Sequence, residues 1–124
     1  MPAIRVLVAD DAPDLRGVVR MLLDLEDDFE VVAEAGTGLE AVQLSEEHQP
    51  DLIVLDLAMP VMDGLTALDE LRTVAPEAKV VMFSAHDAPS TLDEARDRGA
   101  VGFIDKGSGI VDLAGHLRRI CLAG

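Results

Sequence analysis

Ile4-Arg5-Val6-Leu7-Val8-Ala9-Asp10-Asp11, residues 4–11, decides the architecture. Its first six residues are apolar at all but one position, as in a strand buried on both faces, and they run straight into two carboxylates. Leu52–Leu55 repeats the pattern and ends at Asp56, and residues 101–104 form a third apolar run followed by Asp105 and Lys106. Strands covered on both faces belong to a parallel sheet, and parallel strands carry their C-terminal ends along one edge. Asp10, Asp11, Asp56 and the Lys106 ammonium are therefore expected to converge there.

Between these runs the apolar period changes from strand to helix. Pro13 suits a first helical turn, and Leu15, Val18, Val19, Leu22 and Leu23 make one helical stripe. Phe29–Ala35 reads as a second strand, Gly36-Thr37-Gly38 as a turn, and Leu39, Val42 and Leu44 as the start of a helix ending near His48. After the third strand comes a loop over residues 59–64, then a helix marked by Leu65, Leu68 and Leu71 and stopped by Pro76. Residues 79–83 read as the fourth strand. A polar fourth helix with little apolar content, Leu92 and Ala95, runs to about Arg98 and is expected to be the least firmly packed. Residues 101–104 are the fifth strand, and Ile110, Leu113, Leu117 and Ile120 mark the last helix, with Ser108 as its expected cap. Five strand-helix repeats with right-handed crossovers predict an α/β, doubly wound, five-stranded parallel sheet of order 2-1-3-4-5 with five helices. Its ligand crevice lies where the strand order reverses, between the first and third strands.

The 124 residues suit one domain over 1–124, and 49% apolar content suits a packed core. There is no Trp or Tyr, and the three aromatics are Phe29, Phe83 and Phe103. A net charge of −14 argues against direct nucleic-acid binding and against anionic membrane surfaces, and suits handling of divalent cations. The single cysteine, Cys121, fits a reducing compartment. No signal peptide follows Met1, and no stretch approaches the ~18 apolar residues of a membrane helix, so a cytoplasmic location is expected.

Like charges as close as Asp10, Asp11 and Asp56 raise one another's pKa, and a hard divalent cation relieves that strain. Mg²⁺, with Mn²⁺ as an alternative, prefers such oxygens and commonly bridges to phosphate. Asp11 is the first choice for a direct ligand, Asp10 binds partly through water, and the Ala58 backbone carbonyl supplies another oxygen. With the cation in place a carboxylate can attack phosphorus, and Asp56, alone at its strand end, is the candidate. Lys106 is placed to neutralise phosphoryl oxygens and Ser84 to donate its hydroxyl. Asp63 reads as a helix cap, His48 and His116 as surface residues, and His86 as a candidate for bordering the site. Gly36-Thr37-Gly38-Leu39-Glu40-Ala41 matches a dinucleotide-binding fingerprint, but it follows the second strand of a short chain, so a tight turn is the preferred reading.

Together Asp10-Asp11, Asp56-Leu57-Ala58-Met59-Pro60-Val61-Met62-Asp63-Gly64, Ser84-Ala85 and Gly102-Phe103-Ile104-Asp105-Lys106 resemble the receiver domain of bacterial two-component response regulators, over essentially the whole chain. The resemblance implies a flavodoxin-like fold and transfer of a phosphoryl group to Asp56 from a sensor histidine kinase or histidine phosphotransfer domain. It implies Mg²⁺ on Asp10 and Asp11, phosphoryl oxygens held by Ser84 and Lys106, and an aromatic switch at Phe103. It further implies a first helix that docks the phosphotransfer partner. The face of helix four, strand five and helix five would respond, toward an output domain or effector or a phosphorylation-dependent homodimer. On this reading the chain is no metabolic enzyme, and it stands alone or belongs to a longer regulator. Where the family carries proline after the lysine, usually with a cis peptide, this chain has Gly107, which predicts an altered loop. Two alternatives are a binding module that works without phosphorylation and a Mg²⁺-dependent aspartyl-phosphate phosphatase. The latter lacks a second Asp at Ala58.

Overall fold

The computed structural model describes residues 3–85 and 89–122. Five strands, β1 (Ile4–Ala9), β2 (Phe29–Ala35), β3 (Leu52–Leu55), β4 (Lys79–Ser84) and β5 (Gly102–Asp105), form one parallel sheet in the order β2-β1-β3-β4-β5. The helices are α1 (Pro13–Asp24), α2 (Gly38–His48), α3 (Gly64–Val74), α4 (Pro89–Asp97) and α5 (Leu113–Leu122).

Alternation along each strand builds two cores. Leu7, Ile53, Leu55 and Met82 face α2, α3 and α4, packing with Ala41, Leu68, Leu71 and Ala95. Val6, Val8, Val54 and Phe83 face the other way, against Val19 and Leu23 of α1 and Leu113 and Leu117 of α5. The strands are apolar on both sides because both sides are covered.

Local signals open three of the helices. Pro13 opens α1, Thr37 accepts from the Glu40 N–H at the start of α2, and the Asp63 carboxylate accepts from the Thr66 N–H at the start of α3. Ala95 is the one buried residue of α4 and Leu92 is only half-buried, in keeping with the weak packing expected of that helix.

The end of the chain departs from expectation. Strand β5 is displaced by one residue, and β4 extends to Ser84. The last helix does not start at Ile110: a 3₁₀ turn over Gly109–Asp112 precedes α5. Ser108 does not cap it, because the 3₁₀ turn lies between them, and its hydroxyl and its N–H both donate to Asp105 Oδ2, at 3.0 and 2.9 Å. Among the described residues every peptide bond is trans, including the one before Gly107.

Candidate functional site

Main-chain bonds continue past the strand ends and bring the acidic residues together. The Asp10 N–H donates to the Ala35 carbonyl and the Asp56 N–H to the Ala9 carbonyl, both at 3.0 Å. Each carboxylate thus leaves the sheet beside its neighbour. On the far side, the Lys106 N–H donates to the Ser84 carbonyl at 3.0 Å, anchoring the lysine to the end of β4.

The loop after β3 folds back against Asp56. Gly64 makes this possible: its N–H donates to the Leu57 carbonyl at 2.9 Å, and a Cβ there would press into the Asp56 carbonyl and come within 2.6 Å of Leu57 Cα. The same loop holds Val61 at φ 71, with the Met62 N–H donating to the Pro60 carbonyl at 2.8 Å.

Asp10, Asp11 and Asp56 each offer a carboxylate oxygen within 4.8 Å of the other two. Asp10 and Asp56 are buried and Asp11 is exposed, so the cluster opens to solvent on one side. Lys106 bridges the buried pair, its Nζ 2.8 Å from Asp10 Oδ2 and 3.2 Å from Asp56 Oδ2. Asp10 Oδ1 accepts from the Ala12 N–H at 2.9 Å, and Asp56 Oδ1 accepts from the Ala58 N–H at 3.2 Å.

Burial pushes the Asp56 carboxyl above the usual carboxylate range, and the Asp10 charge adds to this. The Ala58 N–H and the Lys106 ammonium oppose the shift without cancelling it. Burial alone would lower the Lys106 pKa, but its bond to Asp10 and the charges of both carboxylates win, and it is raised.

The donor set fits a hard cation. It is all oxygen, it is anionic, and its span is slightly wider than the ~4.2 Å between opposite ligands at ~2.1 Å from Mg²⁺. Ala58 lies in the adjoining turn, where its N–H is already engaged with Asp56. Ser84 is buried at the end of β4, paired in register with Asp105. Phe103 is half-buried on β5, two residues before Asp105, with the Arg96 guanidinium 5.0 Å from its ring centroid. His86 lies outside the described residues.

The dinucleotide-like motif is a helix start. The Glu40 carboxylate accepts from the Gly36 N–H at 2.9 Å while Thr37 accepts from the Glu40 N–H at 3.1 Å, and a Cβ on Gly38 would collide with the Met62 carbonyl. Two neighbours of the cluster went unread in the sequence. Arg16 donates to the Asp10 carbonyl at 2.7 Å, and the Phe83 ring centroid lies 5.8 Å from the Lys106 ammonium. Arg16 stands six positions after Asp10, and nothing in that spacing announces a contact.

Comparison with known proteins agrees with this arrangement. The family model described as response regulator receiver domain matches residues 6–118. The chemotaxis protein CheY of Bacillus subtilis is 42% identical over 84% of this chain and 86% of its own length. A protein-glutamate methylesterase/protein-glutamine glutaminase from Caldanaerobacter subterraneus is 44% identical over 89% of this chain, but that match takes up only 30% of the relative. The crystal structure of the response regulator domain of Thermotoga maritima CheB superposes with a TM-score of 0.89 at 33% identity, covering 96% of both chains. The matched family, the shared flavodoxin-like topology and the strand-end carboxylates lead to one conclusion: the chain belongs to the response regulator receiver domain family.

Proposed function

We propose that this domain is a phosphorylatable switch that accepts a phosphoryl group on Asp56 in the presence of Mg²⁺. The observation that carries this reading is the convergence of Asp10, Asp11, Asp56 and Lys106 at the ends of β1, β3 and β5. The metal, when bound, would offset charge on the carboxylates and the incoming phosphoryl group. Asp10 and Asp11 would hold it, with Asp56 and the Ala58 carbonyl completing the protein's share.

An Asp56 oxygen attacks phosphorus, the P–N bond of a donor phosphohistidine breaks, and its electron pair leaves with the imidazole nitrogen. Lys106 exchanges its Asp56 contact for a phosphoryl oxygen, and Ser84 donates its hydroxyl to another. The same site would hydrolyse the acyl phosphate slowly, with no turnover of a metabolite.

The partner is a sensor histidine kinase or histidine phosphotransfer domain in the cytoplasm. Val18 and Met21 on α1 and Leu25 at its C-cap are 39%, 56% and 73% exposed, an apolar stripe suited to docking a helical partner. Phosphorylation would favour a packing in which Ser84 and Phe103 move toward Asp56, which changes the face formed by α4, β5 and α5. That face would act on an output domain or effector, or pair two copies. The 1–124 segment would work as one receiver unit, alone or within a longer regulator.

Incubation with Mg²⁺ and acetyl phosphate tests the reading by intact mass. One phosphoryl group is expected on the wild type and none on Asp56→Asn. Equal labelling of the two would move the acceptor elsewhere.

A further inference from the structure

We infer that Arg16 is a positioning residue for the metal-binding turn, acting through the main chain of Asp10. This rests on the reading of Asp10 and Asp11 as metal ligands. Three polar groups of Asp10 are engaged by the sheet, the next turn and the lysine: its N–H by Ala35, Oδ1 by Ala12 and Oδ2 by Lys106. Its carbonyl is the fourth, and it accepts from Arg16 Nη1 at 2.7 Å. A carbonyl at the end of a strand, beyond the ladder, has no regular partner of its own, and the guanidinium supplies one.

Arg16 is itself held from the other side. Its Nε is buried, makes no hydrogen bond, and lies 3.4 Å from Glu34 Oε1 in an ion pair. Glu34 sits near the end of β2 and also pairs with Arg20. The guanidinium therefore links α1, β2 and the first residue after β1. Gly36 leaves room for it, since a Cβ there would come within 3.3 Å of Arg16 Nη1. Glu34 thus holds the guanidinium, the guanidinium holds the Asp10 peptide, and that peptide sets where the Asp10 and Asp11 side chains begin.

Loss of this link should weaken metal binding more than chemistry. Groups that orient ligands are worth about ten- to a hundredfold in metal affinity. Arg16→Met, which keeps the apolar stem, is expected to raise the Mg²⁺ dissociation constant of the unphosphorylated protein about tenfold by calorimetry. The labelling rate at saturating Mg²⁺ should stay within about threefold of wild type, because the groups that meet the phosphoryl are untouched. Arg16→Lys, which keeps the charge but loses the fork, should fall between the two. If Arg16→Met does not fold, Arg16→Lys and Glu34→Gln carry the same titration. A Mg²⁺ affinity within twofold of wild type in the folded variants overturns the inference, and so does a loss confined to the saturated rate. Wild-type protein that binds Mg²⁺ yet gains no phosphoryl group would instead overturn the acceptor reading, while a weakened variant would still support the role of Arg16.

Discussion

Asp56 sets burial against charge. Its carboxylate is buried beside Asp10, and its pKa is raised in the folded chain by burial first and by Asp10 second. A raised carboxyl pKa means that the folded state prefers the proton. The stabilising contribution is full below the ordinary value near 4 and is lost as pH rises through the raised value. Asp56→Asn removes the ionised form while keeping the shape. The metal-free variant should therefore melt a few degrees above wild type at neutral pH, the scale on which about 1 kcal/mol appears in a domain this size. Thermal melts across pH check the sign: the gap should narrow as pH falls, because folded wild type takes up a proton on Asp56 more readily than the unfolded chain does. The meeting of the three carboxylates and Lys106 was legible from strand ends alone. Arg16 was not, because its contact is with a main-chain carbonyl and leaves no side-chain pattern.

At the scale of elements, the loop from β3 to α3 stores local strain. Val61 is β-branched, lies at φ 71 and is 79% exposed, so its conformation costs energy that its own packing does not return. Asn tolerates the left-handed region far better. Val61→Asn should stabilise the fold by about 1 kcal/mol, read as a higher urea midpoint at unchanged slope. Gly64 and the Asp63 cap hold the loop against Asp56, so the strain sits next to that carboxylate. The strands and the starts of α1, α2 and α3 could be read from period and capping residues. The start of α5 could not, because a 3₁₀ turn over Gly109–Asp112 separates Ser108 from the helix.

At the scale of the whole molecule, a net charge of −14 makes the compact state repel itself. Two effects of added cations can then be separated. Raising KCl from about 0.02 M to about 0.5 M shortens the screening length severalfold and should raise the melting temperature. Mg²⁺ at matched ionic strength should raise it further, because binding to the folded state alone adds stability. That second increment should disappear in Asp11→Asn, while the KCl effect remains. An equal Mg²⁺ increment in wild type and variant would locate the cation effect on the general surface. Among the described residues no helix is long and apolar enough to cross a membrane, and most large apolar side chains are buried in the two cores.

The sequence by itself determined the sheet. Strands buried on both faces must be apolar throughout, helices between them must carry one stripe, and these periods survive in one dimension. It also determined which acidic residues meet, because parallel strands end together. Tertiary structure alone decided how the meeting is stabilised. Lys106 lies between Asp10 and Asp56 because its N–H is tied to Ser84, and Arg16 reaches the Asp10 carbonyl because α1 packs beside β2. Contacts of that kind join residues whose separation along the chain follows no period. They arise only once the helices are packed on the sheet.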